Sequence, residues 1–160
     1  MSTKSPKTTM KKDISQITTY QSGVMQSSAH RLLTRIKTEY LSQYGLTSMQ
    51  WFVIGYVYDS GASGMKLNDL MKTLDTTMPF VTSIVNTLEH KGILNKVSDL
   101  NDSRVKIAIL SPSYRSTVEE IEHGLREELR ARLYREDNIS REELSTYINV
   151  LYKIVQSDKT

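Results

Sequence analysis

LNDLMKTLDTTMPFVTSIVNTLEHKG, residues 67–92, is the stretch from which the fold is read. Leu67, Leu70, Met71 and Leu74 share one face of a short helix predicted over about 67–74. Asp75-Thr76-Thr77 leaves room only for a tight turn, and the spacing then predicts a second helix over about 78–91. Thr77 is a suitable N-cap, Pro79 is tolerated in the first turn, and His90 and Lys91 suit the negative end of the helix dipole before Gly92 stops it. A helical wheel puts Phe80, Val81, Ile84, Val85 and Leu88 on one face, with Pro79, Thr82, Ser83, Asn86 and His90 opposite. Two helices joined this way form a helix-turn-helix. The first braces the second, whose outer N-terminal half fits a groove about 12 Å wide.

Working outward, residues 93–97 and 105–109 read as two short strands, the second with Val105, Ile107 and Ile109 on one face. The polar run Ser98 to Ser103 joins them, so a hairpin follows the second helix directly, as a wing. Before the motif, Leu46, Thr47, Gln50 and Trp51 combine a capping box with a hydrophobic staple, opening a helix to about Tyr58 that is apolar around most of its circumference. Upstream, apolar residues at helical spacing from Ile14 to Tyr44 predict one long helix, with Asp13 as N-cap and a bend near Gly23. Downstream, Ser111-Pro112 opens a helix carrying Val118, Ile121, Leu125 and Leu129, and Asp137-Asn138 breaks it. Ser140 and Glu143 form a second capping box, opening a last helix with Leu144, Tyr147, Ile148, Leu151, Ile154 and Val155.

The expected fold is mainly α with a small β-hairpin: a winged helix-turn-helix at 46–110, flanked by dimerisation helices at 13–45 and 111–160. A basic tail at 1–12 is expected to be disordered. The flanking helices carry more apolar surface than a winged domain of about 65 residues can cover, which predicts a homodimer built from both chain ends.

Composition excludes several classes. The chain of 160 residues has a net charge of +3, but Lys4, Lys7, Lys11 and Lys12 hold that surplus in the tail. The tail is either a loose phosphate-seeking arm or an idle solvated one. No cysteine is present for disulfide, thiolate or redox chemistry, and His30, His90 and His123 lack ligand spacing. The stretch Met1 to Lys12 has no apolar core and is not expected to be a secretory signal, and no membrane-spanning run, phosphate-binding glycine loop or recognisable catalytic set is read. The expectation is a cytoplasmic protein, not an enzyme, without metal or cofactor.

Taken alone, the face of Thr82, Ser83 and Asn86 is an ordinary solvated face. The tight turn before it and the wing after it favour base reading. Asn86 can pair with adenine N6 and N7, and threonine or serine can meet phosphates or a thymine methyl. The DNA-contact candidates are Thr76, Thr77, Pro79, Thr82, Ser83 and Asn86, with Arg104 and Lys106 from the wing. Lys66, Lys72 and Lys96 serve either the backbone or solubility.

Leu88-Glu89-His90-Lys91-Gly92-Ile93-Leu94, then Asp102-Ser103-Arg104, then Leu110-Ser111, together with Leu46-Thr47-x-x-Gln50-Trp51, resemble the MarR (multiple antibiotic resistance regulator) family in motif and order. Ser83 stands where many members have arginine, and Tyr114 where they have glycine. The resemblance implies a sequence-specific regulator, a repressor acting as a homodimer on a pseudo-palindromic operator. It also implies an ion pair between Asp102 and Arg104. Members often release DNA on binding a small aromatic effector, which suggests a cleft near His30, Arg31, Trp51 and Tyr56, although Trp51, Phe52, Tyr56 and Tyr58 read equally as core. The alternatives are a winged-helix protein-interaction or structural module, and a DNA-binding silencer that needs no effector.

Overall fold

The computed structural model describes residues 13–159, so the basic tail at 1–12 lies outside the described residues. The chain forms two compact units that part between Thr34 and Arg35.

In the first unit, the Asp13 side chain accepts the N–H of Ser15 and caps a 3-10 turn, Ile14–Gln16, rather than a long helix. Helix α1, Thr19–Ser42, starts after it. Thr18 and Gln21 exchange backbone-to-side-chain hydrogen bonds of 3.1 and 3.3 Å, and this reciprocal cap breaks the chain before α1. The expected single helix from Ile14 is therefore interrupted at Ile17–Thr18, and α1 runs through Gly23. Tyr20, Val24 and Met25 are exposed.

The second unit holds the winged helix and the downstream helices. The capping box opening α2, Ser48–Asp59, forms as predicted, with Gln50 N–H donating to Thr47 Oγ1 at 3.2 Å and Thr47 N–H to Gln50 Oε1 at 3.0 Å. Trp51, Val53, Ile54 and Val57 of α2 are buried in the central core cluster. Helices α3, Leu67–Thr73, and α4, Met78–His90, form the helix-turn-helix. Strands β1, Met65–Lys66, β2, Leu94–Ser98, and β3, Lys106–Leu110, make an antiparallel sheet in the order β1-β3-β2.

The sheet differs from expectation in two ways. β1 has two residues, too few for an alternation to show in sequence. The face of β3 buried in the core carries Ala108 and Leu110, while Ile107 and Ile109 are only half-buried on the opposite face. Gly64 explains that second face. At φ +69° its backbone presses on β3, and a Cβ there would lie 2.4 Å from the Ala108 carbonyl oxygen and under 3 Å from the Ile107 and Ile109 side chains.

Helix α5, Arg115–Arg132, begins one turn later than Ser111-Pro112 suggested, after a 3-10 turn, Pro112–Tyr114. The buried Ser111 does not cap it. Its N–H donates to the Ile93 carbonyl at 2.9 Å and its hydroxyl accepts from Asn95 Nδ2 at 3.3 Å, both on the sheet side, while its carbonyl accepts from the Tyr114 N–H at 2.9 Å. Within this unit the end of α1 packs on α5. Gly124 leaves the space that the Tyr40 ring fills, and Arg132 pairs with Glu39 at 2.7 Å. The Tyr44 hydroxyl donates to Glu120 at 2.8 Å, and Tyr40 and Glu120 together raise its pKa well above the tyrosine range. Helix α6, Arg141–Ser157, opens on the expected Ser140–Glu143 capping box.

Gly64→Ala is expected to destabilise the fold by about 2–4 kcal/mol, combining left-handed backbone strain with overpacking. Gly61, at φ +64°, has nothing within 4 Å of its would-be Cβ. Gly61→Ala should therefore cost only the strain, about 1 kcal/mol. Urea unfolding of the two variants measures the difference, and equal losses would contradict the close approach.

Candidate nucleic-acid interface

The reading helix is held by its ends. At α3's end, Asp75 takes φ 48° while its N–H bonds Lys72 O at 3.3 Å and the Thr76 N–H bonds Met71 O at 3.1 Å. At α4's end, Gly92 takes φ +72°, its N–H bonds Glu89 O at 2.9 Å and the Ile93 N–H bonds Leu88 O at 2.9 Å. Both are Schellman turns, which reverse the chain sharply. Lys91 then reaches the Gly45 carbonyl at 2.6 Å, tying this end to the α1–α2 loop.

Val81, Ile84, Val85 and Leu88 bury one side of α4, which turns Pro79, Ser83 and Asn86 outward as an exposed stripe. Thr82 and Thr76 are half-buried and Thr77 is exposed without a side-chain capping bond. Phe80 departs from the wheel: it is 43% exposed instead of facing the core. It sits in the first turn, and the buried face begins with Val81.

Asn86 has a partner that the sequence did not disclose. Lys96, reaching back from β2, donates its ammonium to Asn86 Oδ1, and the Lys96 N–H bonds Glu89 Oε2 at 2.7 Å. A bidentate adenine contact by Asn86 would have to share its oxygen with Lys96. A cation is placed beside a stripe that has none of its own.

In the wing, Asp102 and Arg104 pair as the family resemblance implied. Arg104 donates from its backbone N–H at 3.0 Å, from Nε at 3.1 Å and from Nη2 at 3.3 Å to the Asp102 carboxylate. These bonds hold the Asp102 carboxyl below the usual carboxylate range. The Arg104 side chain remains 89% exposed, so its unused N–H groups face solvent. Lys106 is less available than expected, with Nζ bonded to Ser98 Oγ at 2.6 Å and to the Ser103 carbonyl at 3.2 Å. Lys66 and Lys72 are exposed.

A cavity of about 510 Å³ lies between α2 and α5, with Trp51, Phe52, Tyr56 and Val118 among its lining and Asp59, Glu119, Glu122 and Arg126 as its charged groups. Tyr58 bonds Glu119 at 2.8 Å beside it, and the Arg115 guanidinium stacks on the Tyr58 ring. Trp51 and Tyr56 of the effector grouping both line this cavity. His30 and Arg31 stand on α1 in the first unit, where Arg31 donates to Ser28 Oγ at 3.0 Å. Among the described residues, no group of acidic, histidine or cysteine side chains could hold a metal ion, and no helix is long and apolar enough to cross a membrane.

A depressed folded-state pKa means that the Asp102 pair contributes at neutral pH and is lost as pH falls through that lowered value. Carbon-detected NMR titration of the Asp102 carboxyl should give a midpoint below the ordinary ~3.9, and Arg104→Ala should return it to that range. A midpoint indifferent to Arg104→Ala would mean that the pair does not persist in solution.

Residues 35–121 match the sequence profile of the family described as transcriptional regulator SarA/Rot. Among solved structures, MepR of S. aureus in complex with DNA is 26% identical, the match covering 88% of this chain and 99% of that one at a TM-score of 0.71. AbsC of Streptomyces coelicolor, a MarR family transcriptional regulator, is 17% identical over 89% of this chain and 97% of its own, with a TM-score of 0.75. A MarR variant of E. coli complexed with operator DNA is 21% identical over 82% and 91%, with a TM-score of 0.68. These last two likenesses establish the winged-helix fold, in line with the MarR-type motifs of the sequence. No curated protein matches the chain significantly in sequence.

Proposed function

Because the chain belongs to the SarA/Rot family of transcriptional regulators, we propose that it is a sequence-specific DNA-binding protein, a repressor working as a homodimer on a pseudo-palindromic site in the cytoplasm. The observation that carries this reading is the uncharged stripe of Pro79, Ser83 and Asn86, turned outward by a buried opposite face, together with the exposed guanidinium of Arg104 on the wing. The likeness to MepR bound to DNA supports it. Thr76, Thr77 and Thr82 border the stripe as groove or phosphate contacts. Arg104 is the wing contact, Lys106 a weaker one because its ammonium is already bonded, and Lys96 a cation shared between Asn86 and the duplex.

The division of the chain follows from this reading: a winged helix-turn-helix at 46–110 between dimerisation helices at 13–45 and 111–160. Helix α6 buries none of its residues, and Tyr147, Ile148, Val150, Leu151, Tyr152, Ile154 and Val155 are each 40–64% exposed. A continuous apolar stripe of this kind calls for a partner surface. A small aromatic effector fits the cavity at Trp51 and Tyr56, and its binding between α2 and α5 is the proposed route to DNA release.

Arg104→Ala should weaken binding to cognate and random duplexes alike and lower the salt slope by about one, because it removes a phosphate-type contact. Asn86→Ala should cost about 1–3 kcal/mol on a cognate duplex and far less on a random one. Mobility-shift titrations at fixed salt measure both, on a duplex selected from a random pool. A wild-type protein that retains no duplex even at low salt overturns the reading. Replacing Leu151 and Ile154 together with Glu should give a monomer in sedimentation analysis. A wild-type chain that is already a monomer would remove the dimer.

A further inference from the structure

Asn86 and Lys96 stand on different elements and meet at their side-chain ends. Asn86 is exposed on the outward stripe of α4, one turn after Ser83. Lys96 is half-buried in β2, opposite Ala108 of β3, so the sheet holds its backbone. Its N–H donates to Glu89 Oε2 at 2.7 Å, which ties the same backbone to α4. From this fixed origin the side chain places its ammonium on Asn86 Oδ1. The choice of atom follows from chemistry. An ammonium has three donors and no acceptor, so it bonds an amide only through the oxygen.

That bond changes what the stripe offers a base. An unaccompanied asparagine has an acceptor beside its donors, the complement of adenine, whose major-groove edge carries the N7 acceptor and the N6 amine. With Oδ1 taken up by Lys96, the groups left over are N–H donors: those of the asparagine amide and those the ammonium has not given to Oδ1. Guanine presents two acceptors, N7 and O6, along the same edge, and lysine is a regular partner for them. Adenine against the same donors would turn its N6 amine toward a positive charge and leave its hydrogens unpaired, which is costly. The second lone pair of Oδ1 does not restore the match, because the amine would have to approach it beside the ammonium.

We propose that Lys96 is a specificity-determining residue that makes Asn86 half of a guanine reader, the two side chains together donating to N7 and O6 of one guanine in each half-site. This rests on the DNA-binding reading and goes beyond it, assigning a base to the stripe and placing Lys96 on a base edge, not on a phosphate.

The test begins with duplexes selected from one random pool by the full chain and by its Lys96→Met variant, which keeps most of the stem and removes the ammonium. One position in each half-site should be guanine for the wild type and adenine for Lys96→Met, because the variant frees Asn86 Oδ1. Mobility-shift titration at fixed salt then reads the atoms on the wild-type site. At that guanine, inosine keeps N7 and O6 and should bind equally well. Adenine, and 7-deazaguanine, which lacks the N7 acceptor, should each bind about tenfold more weakly. Lys96→Met, with an unchanged thermal melt, should bind the adenine duplex more tightly than the guanine one. Three results would overturn the proposal. The first is a wild-type site with no guanine that answers to both N7 and O6, a result read without any variant. The second is a guanine preference that Lys96→Met leaves intact. The third is an equal loss by Lys96→Met on every duplex with a salt slope lower by about one, the mark of a phosphate contact. In each of these the duplex is still bound, so the DNA-binding reading stands. A protein that binds no duplex removes both.

Discussion

The turn at Gly92 couples the outward stripe of α4 to the wing. Glycine accepts φ +72° without steric cost, so the chain leaves the helix and enters β2 within two residues, with the Leu88 and Glu89 carbonyls both bonded. Leu88 and Leu94 on either side of it are fully buried, so the turn cannot swing without opening the core. The Ile93 carbonyl then accepts from Ser111, which fixes where the strand pair ends and α5 begins. Lys96 bonds back to both Asn86 and Glu89, so the wing's first strand and the last turns of α4 behave as one body. The distance between the outward stripe of α4 and the wing is therefore set within the fold itself.

The same turn geometry recurs where each of three helices ends, with Gly45, Asp75 and Gly92 in the left-handed region. Two of the three are glycine. The third, Asp75, lies inside the helix-turn-helix and accepts a strain of order 1 kcal/mol that glycine would avoid. Its carboxylate also stands just before the positive end of α4, where a negative charge is favourable. The turn is therefore closed by a residue other than glycine, at some conformational cost.

Much of the architecture was legible because it rests on local chemistry. Two capping boxes, the turn of three residues and the glycine after α4 are each decided by residues within a few positions of one another, and sequence spacing exposes them. The misreadings share a cause, which is contact between residues distant in sequence. The wheel placed Phe80 with the core face because it knows angle but not where along the axis the core begins. Ile107 and Ile109 alternate correctly, yet Gly64 from another loop decides what covers that face. Ser111 has the look of a cap, but Ile93 and Asn95 claim its polar groups. At the candidate interface, the residue types were readable while the Asn86–Lys96 bond and the folding back of Lys106 were not.

In the proposed function a twofold dimer would set two copies of α4 into successive major grooves on one side of a duplex. Hydroxyl-radical footprinting of the full-length protein on a selected duplex tests this most directly. Two protected patches are expected on the same face, centred about one helical turn, ~34 Å, apart and related by a twofold axis through the site. A single protected patch, or protection spread evenly along the duplex without phase, would contradict it.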